Sequence, residues 1–204
     1  RSVYTGWGVY NGMKASAEVA FGDASLKGKK IAVQGLGAVG YYLVGHLVKE
    51  GAKVVAADID SKAAQKCAAE YGVEIVSSDQ ILSQDCDIFS PNAMGAVINK
   101  ESIPKLKCRV VAGGANNQLA TEEDGQALMN RGILYAPDYA INAGGLMNIY
   151  NEIGGYDAKR AWEHVAGVRK TISEILNRAA KEKVLPHRIA DKMAEERIHN
   201  AKRG

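Results

Sequence analysis

The fold is decided by residues 29–40, Lys29-Lys30-Ile31-Ala32-Val33-Gln34-Gly35-Leu36-Gly37-Ala38-Val39-Gly40. Three apolar residues at 31–33 predict a buried strand, and the glycines that follow have the spacing G-x-G-x-x-G. In that pattern Gly35 permits a sharp turn, Gly37 lets a pyrophosphate approach the backbone, and Gly40 lets a helix pack tightly on the strand. The stretch therefore predicts a strand, a turn and a helix whose N-terminus offers N–H groups to phosphates.

The residues after this turn continue the pattern of a dinucleotide-binding unit. Apolar residues recur at helical spacing from Val39 to Leu47, and Gly51 is suited to end that helix. A second apolar strand then ends at Asp58, which follows Gly35 at close to the spacing of about 20 residues seen in such folds. A carboxylate there accepts hydrogen bonds from both ribose hydroxyls of adenosine and repels a 2′-phosphate, which favours NAD over NADP. The alternative is a glycine turn beside an ordinary helix-capping acid.

The rest of the chain alternates between short apolar strands and helices. Further strands are expected at residues 73–76, 86–89, 109–112 and 133–136. Helices are expected at residues 8–21, 61–71, 121–131, 143–153 and 157–183, and from Pro186 onward. Thr121 with Asp124 resembles a capping box, and the last helix should bury an apolar side formed by Ile189, Met193 and Ile198. This alternation predicts an α/β fold, a Rossmann-type doubly wound parallel sheet of order 3-2-1-4-5-6, with an extra N-terminal helix and C-terminal helices. A ligand should lie at the carboxyl ends of the strands, where the glycine turn meets polar loops at residues 91–95, 113–118 and 138–145.

Length and composition narrow the class of protein. The chain has 204 residues, 26 basic and 23 acidic, which suits one domain and gives no strong charge for nucleic acid or a membrane surface. We expect a hinge helix at 1–28, a Rossmann core at 29–150 and C-terminal helices at 151–204. The three cysteines lack C-x-x-C spacing and the four histidines are scattered, so we expect free buried thiols and no metal site. With no signal peptide or long apolar run, a cytoplasmic protein is expected.

Several motifs together resemble one enzyme family. They are Thr5-Gly6-Trp7-Gly8-Val9, residues 35–40, Asp58-Ile59-Asp60, Ala112-Gly113-Gly114-Ala115-Asn116-Asn117-Gln118-Leu119, and Ala136-Pro137-Asp138-Tyr139-Ala140-Ile141-Asn142-Ala143-Gly144-Gly145. Over nearly its whole length the chain resembles the amino-acid dehydrogenases, which include leucine, valine, phenylalanine and glutamate dehydrogenases, and it is most similar to the leucine and aromatic-amino-acid branch. The last two motifs are specific, because a generic Rossmann protein has no reason to carry them.

The resemblance implies oxidative deamination, in which a 2-amino acid gives a hydride to NAD and is released as a 2-oxo acid and ammonia. With the glycine motif it implies a cofactor site formed by Thr5, Gly35, Leu36, Gly37, Ala38, Val39, Gly40, Asp58, Ile59, Ala93, Asn116 and Asn142. Among these, Thr5, Asn116 and Asn142 are expected at the nicotinamide end, where amide and hydroxyl groups can bond a carboxamide. The alternative for each of them is ordinary turn chemistry.

The same resemblance implies a substrate pocket formed by Asn116, Leu146 and Ile149. Leu146 and Ile149 share a helix face, so they would either line an apolar side-chain pocket or belong to the core. An apolar face argues against glutamate as substrate, but it does not separate leucine or valine from phenylalanine or tryptophan. The implied partners are an apolar amino acid, its 2-oxo acid and ammonia, and a homo-oligomer is expected through the full-length enzyme.

The sequence also departs from the family. The catalytic lysine of the family follows a glycine-rich stretch in a separate N-terminal domain, and no Gly-Gly-Gly-Lys stretch occurs here. Lys29 and Lys30 precede a strand and are not substitutes, so we assign no catalytic residue to this chain and expect the catalytic N-terminal domain to lie outside it. Asn92 stands where many relatives have a cysteine. An NAD-sensing module or regulatory subunit without catalytic activity is the alternative function.

Overall fold

The computed structural model describes residues 2–93, 95–136, 141 and 158–203. Its sheet has six parallel strands in the order β3-β2-β1-β4-β5-β6, which confirms the predicted Rossmann-type topology. The strands are β1 (Lys30–Gln34), β2 (Lys53–Ala57), β3 (Glu74–Ile75), β4 (Ile88–Pro91), β5 (Val110–Val111) and β6 (Leu134–Tyr135). The α-helices are α1 (Ser2–Phe21), α2 (Ala38–Glu50), α3 (Ser61–Tyr71), α4 (Glu122–Asn130), α5 (Ala158–Glu182) and α6 (Pro186–Arg203). Single 3-10 turns occur at Ile81–Ser83 and Ile103–Lys105.

The register of the sheet brings three strand ends to one edge. Gln34, the last residue of β1, pairs with the last residues of β2 and β4, which are Ala57 and Pro91. The chain therefore leaves all three strands at the same level, and Asp58 and Asn92 lie beside the glycine turn. This is the carboxyl edge, where parallel α/β sheets bind ligands.

Both faces of the sheet are covered, which explains why residues 31–33 of β1 are all apolar. Ile31 and Val33 point into a core shared with α1, α2, α5 and α6, whereas Ala32 points into a second core formed with α4 and the 3-10 turns. Successive side chains of a strand alternate between the faces, so a strand buried on both sides needs an uninterrupted apolar run.

Helix α1 begins at Ser2, so its predicted start at Gly8 was wrong. A Cβ atom on Gly6 would lie 3.0 Å from Cβ of Tyr42 and 3.3 Å from the backbone nitrogen of Leu43. Gly6 thus lets α1 pack closely on α2. This contact outweighs the poor helix propensity of glycine.

Aromatic side chains hold α1 between α2 and α5. The Trp7 and Trp162 rings meet edge to face with centroids 4.9 Å apart, and Trp7 Nε1 donates a hydrogen bond to the Trp162 carbonyl at 3.3 Å. The ring of His46 lies 5.0 Å from that of Trp7, and its burial lowers its pKa. This packing fixes the start of α1, which carries Thr5, relative to the sheet.

Strand β4 lies further along the chain than the predicted 86–89. Ser90, which lies outside the predicted strand, is part of β4 and fully buried. Its Oγ accepts a hydrogen bond from Nδ2 of Asn92 at 3.0 Å, which satisfies the hydroxyl inside the sheet.

The two C-terminal helices lie close to their predicted residues, at Ala158–Glu182 and Pro186–Arg203. Ile189 and Met193 of α6 are buried as expected, but Ile198 is 58% exposed, so its assignment to the apolar face was wrong. Residues 194–203 are all exposed, because the last turns of α6 extend beyond the described part of the domain. The helix expected at residues 143–153 lies outside the described residues.

Glu50, the last residue of α2, ties three segments together. Its carboxylate accepts hydrogen bonds from the Tyr10 hydroxyl at 2.6 Å and the Leu26 backbone nitrogen at 2.6 Å, and it pairs with the Lys14 ammonium. Burial alone would raise the pKa of Glu50, but the donated hydrogen bonds outweigh it and lower the pKa. The ionised carboxylate therefore stabilises the folded state, because it is favoured there over the unfolded chain.

Replacing Glu50 with glutamine should lower the free energy of unfolding by about 1–3 kcal/mol at pH 7, because a charged acceptor with three donors is lost. A group with a lowered folded pKa contributes stability above its unfolded pKa of about 4.3, and this contribution falls as pH drops through the folded value. Denaturant titrations from pH 7 to 3 should therefore show a steeper acid loss in the unmodified chain than in Glu50→Gln. Exposed Glu18, with one ion pair to Arg169 at 3.7 Å, provides the control. If Glu18→Gln reduced the acid loss of stability as much as Glu50→Gln does, Glu50 would not be the source of that loss.

Candidate cofactor site

Two glycines of the turn are required by close contacts. Gly35 has φ +94°, and a Cβ there would lie 2.8 Å from both the nitrogen and Cβ of Ala93. A Cβ on Gly40 would lie 1.9 Å from the carbonyl oxygen of Gly35. A larger residue at Gly40 would separate α2 from β1, and one at Gly35 would collide with the loop after β4, so the roles expected for these glycines agree with the geometry. Ala93 also takes its expected place beside the turn.

Gly37 differs, because a Cβ there would meet no protein atom within 4 Å. Its φ of −65° is open to any residue, so neither backbone strain nor packing within the chain explains a glycine. Gly37 and Ala38 are exposed, and no side chain caps the N-terminus of α2. The first turn of α2 thus presents backbone N–H groups to an open space that a phosphate fits and a Cβ would fill.

The Asp58 carboxylate joins the turn to the end of β2. Oδ2 accepts a hydrogen bond from the backbone nitrogen of Leu36 at 2.6 Å, and Oδ1 accepts one from Asp60 at 2.7 Å. Each oxygen keeps a further lone pair, so the half-buried carboxylate still has acceptors for the two hydroxyls of a ribose. Leu36 has a buried side chain and an N–H bonded to Asp58, so it positions the turn and offers no free N–H to a ligand. Ile59, beside Asp58, is 90% exposed and offers an apolar surface to an adenine ring.

Asn92 connects the loops after β1, β4 and β5, a role that the sequence analysis missed. Its backbone nitrogen donates to the Gln34 carbonyl at 2.7 Å, and its Oδ1 accepts from the Gly114 nitrogen at 2.8 Å. Its Nδ2 donates to the carbonyl oxygen of Ser90 at 3.0 Å. The signal in the sequence was that Asn92 replaces the cysteine of many relatives, because a side-chain amide can bond both neighbouring loops.

A buried glutamine shapes the loop that carries Asn116. Gln118 is fully buried, and its Nε2 donates to the carbonyls of Gly113 at 2.9 Å and Ala115 at 2.8 Å. Asn117 takes a left-handed conformation with φ +52°, and Asn116 lies exposed beside it. The sequence did not reveal the role of Gln118, because a buried glutamine and an exposed one look alike in the sequence of a loop.

Thr5 lies at the same edge of the sheet as the glycine turn. The neighbouring Gly6 packs on α2, and a Cβ on Gly114 would meet both Val9 and Val39 at 3.1 Å. The first turns of α1 therefore contact both the start of α2 and the loop after β5. Thr5 itself is 9% exposed.

The structure thus brings the glycine turn together with Ala93 and Asp58, and it places Thr5 and Asn116 on adjoining segments, while their roles in cofactor binding stay predictions. Asn142, Leu146 and Ile149 lie outside the described residues. Within the described ranges no group of three or more His, Cys, Asp or Glu is arranged to hold a metal ion. The three cysteines are free and buried, as predicted, and burial raises their pKa values, that of Cys86 to about 12.

Comparison with known proteins gives a consistent set of relatives. The sequence model of the Glutamate/Leucine/Phenylalanine/Valine dehydrogenase family matches residues 1–65 and 59–201. Leucine dehydrogenase from Thermoactinomyces intermedius is 50% identical over 197 residues, which are 97% of this chain and 54% of that protein. L-tryptophan dehydrogenase from Nostoc punctiforme is 42% identical over 200 residues, which are 98% of this chain and 57% of that protein. The chain spans about half the length of the curated relatives it matches.

Solved structures agree with the sequence comparison. The crystal structure of L-tryptophan dehydrogenase from Nostoc punctiforme matches with a TM-score of 0.96 and 41% identity, covering 100% of this chain and 62% of that one. A hetero-hexameric glutamate dehydrogenase from Thermus thermophilus, at 21% identity, shares the fold with a TM-score of 0.80. The glycine turn, the acid after β2 and these matches agree: the chain belongs to the glutamate/leucine/phenylalanine/valine dehydrogenase family.

Proposed function

We propose that this chain is the NAD-binding part of an L-amino-acid dehydrogenase that converts an apolar 2-amino acid to its 2-oxo acid and ammonia. Dehydrogenases of the family use a nicotinamide cofactor. The observation that carries the proposal is the open space at Gly37, beside the uncapped start of α2 and next to the Asp58 carboxylate. A dinucleotide needs both features, the open helix start for the diphosphate and the carboxylate for the adenosine ribose.

The choice of NAD over NADP follows from the charge of Asp58. Its two oxygens already accept backbone N–H groups, and the acceptor sites that remain suit two ribose hydroxyls, which are donors. A 2′-phosphate would bring negative charge against a half-buried carboxylate, which costs binding free energy. In the residues that follow β2, Asp58-Ile59-Asp60-Ser61, there is no arginine to offset that charge.

The residues of this chain would bind and orient the cofactor. When bound, the nicotinamide ring supplies hydride transfer. The N–H groups from Gly37 to Val39 would hold the diphosphate, and Ile59 would cover the adenine. Asn116, with Thr5 and Asn142, would fix the carboxamide so that one ring face meets the substrate Cα.

The substrate is proposed to be an apolar amino acid. Relatives that share 39–50% of this sequence are named leucine, tryptophan and valine dehydrogenases. The roles of Asn116, Leu146 and Ile149 in the substrate pocket stay predictions, as does assembly into a homo-oligomer. Among the described helices none is both long and apolar enough to cross a membrane.

We further propose that this chain carries the cofactor site, and that the acid–base groups of the reaction come from a separate domain. The purified 204-residue chain should then bind NADH, because its glycine turn is complete, but it should show no turnover with L-leucine or L-phenylalanine. Fluorescence titration with NADH and a reduction assay at 340 nm would measure the two properties. Robust turnover by this chain alone would refute the division of labour, and failure to bind NADH would refute the proposed function.

Gly37 and Gly40 should respond differently to alanine. Gly37→Ala should leave the free energy of unfolding nearly unchanged, because the new Cβ meets no protein atom. It should still weaken NADH binding about tenfold or more, since charge-assisted hydrogen bonds worth about 1.5–3 kcal/mol are displaced. Gly40→Ala should instead destabilise the fold by about 1–3 kcal/mol or more, because its Cβ overlaps the Gly35 carbonyl.

These two variants control for each other when NADH titration is combined with chemical denaturation. Equal NADH affinity for Gly37→Ala and the unmodified chain would place the diphosphate elsewhere. A fully stable Gly40→Ala would contradict the close packing of α2 on β1.

Removing the charge of Asp58 should reduce the preference for NADH over NADPH by a factor on the order of ten, because repulsion of the 2′-phosphate is lost. Asp58→Asn is the sharper variant, since its side-chain oxygen can still accept the Leu36 N–H while the charge is gone. Asp58→Ser should narrow the preference and also loosen the turn. The readout is the ratio of the two dissociation constants, and an unchanged ratio in both variants would remove Asp58 from the ribose site.

A further inference from the structure

A cavity of about 440 Å³ lies at the edge of the sheet opposite the glycine turn. Arg109 and Ile133, which directly precede β5 and β6, line it, so it opens at the amino ends of these strands. The other walls come from the end of α1, from α4, and from the end of α5 with the turn into α6. Apolar side chains dominate these walls, among them Val19, Met129, Leu176 and Leu185.

The size of this amino-edge cavity results from small residues on the helices that meet there. Ala20 of α1, Gly125 of α4 and Ala179 of α5 face it, so no side chain fills the space between the three helices. The volume lies within the range of about 300–1,000 Å³ that is typical of small-molecule sites. Alone, an apolar space of this kind would not identify a ligand.

Two cations at the amino-edge cavity indicate the charge of its ligand. Arg109 and Lys183 line it, both are exposed, and no described lining residue is acidic. Across the described ranges neither cation has a carboxylate within ion-pair distance. The Arg109 guanidinium is held in place, because its Nη2 donates to the Ala20 carbonyl at 2.8 Å and it lies 4.9 Å from the Phe21 ring centroid. Its other N–H groups remain for a ligand, since guanidinium has five donors.

We propose that the amino-edge cavity binds a monocarboxylate with an apolar tail. The tail enters the space between α1, α4 and α5, and the carboxylate lies at the mouth against Arg109 and Lys183. Burial of the tail and charge-assisted hydrogen bonds to the carboxylate both contribute to binding. A neutral molecule lacks the second contribution, and a short polar anion lacks the first. The cofactor turn is at the other edge of the sheet, so NADH and this ligand do not compete.

Calorimetric titration of the 204-residue chain with octanoate tests the proposal, with 1-octanol and acetate as matched probes. Octanoate should bind saturably, while octanol, which lacks the charge, and acetate, which lacks the tail, should each bind at least tenfold more weakly. Saturating NADH should leave octanoate affinity unchanged. No octanoate binding, equal binding of octanol, or displacement by NADH would each overturn the proposal.

Variants separate the two halves of the site. The double change Arg109→Gln and Lys183→Gln should weaken octanoate binding tenfold or more and leave octanol unaffected. The matched control, Lys202→Gln with Arg203→Gln, removes two exposed cations at the end of α6 and should change nothing. Ala180→Trp, at an exposed lining position, should block both probes. Equal effects of the two double variants would show that net charge alone attracts octanoate, which would refute the site. Circular dichroism melts would verify that each variant is folded.

Discussion

The structure depends on the contact between the start of α2 and the end of β1. There is no room for a Cβ between Gly40 and the Gly35 carbonyl, so the helix begins directly over the strand. That closeness directs the first N–H groups of α2 across the carboxyl edge of the sheet. Of the three glycines in the turn, only Gly37 has open space where a Cβ would lie. The proposed phosphate site is therefore a direct consequence of how tightly one helix packs on one strand.

Asp58 links this packing to ligand choice. The carboxylate that would select the ribose also bonds the Leu36 N–H, so recognition and the shape of the turn share one side chain. Amides have a similar role in the neighbouring loops, where Asn92 and Gln118 bond backbone groups of the segments after β4 and β5. Buried and half-buried side chains that bond the backbone of a loop favour a single loop conformation, which a site for a rigid nicotinamide ring requires.

The first part of the fold could be predicted because its signals are local. Residues 29–58 contain an apolar strand, three glycines, a helical period and an acid in sequence order, and α3 and the Thr121–Asp124 capping box were likewise correct. The start of α1, the buried Ser90 and the exposed Ile198 were not predictable in this way. Each depends on tertiary contacts: Gly6 packs on α2, Ser90 pairs with Val33 of β1, and Ile198 lies in the part of α6 that is exposed throughout. The same limit applies to Gln118, whose partners lie in a loop that has no periodicity.

A crystal structure of the chain soaked with NADH is the most direct measurement of the central claim. The account predicts that the diphosphate lies over Gly37 within hydrogen-bond distance of the first N–H groups of α2. Both adenosine ribose hydroxyls should bond the Asp58 carboxylate, and the nicotinamide should face the loop that carries Asn116. An unoccupied groove at saturating NADH, or a dinucleotide bound away from Gly37 and Asp58, would contradict it.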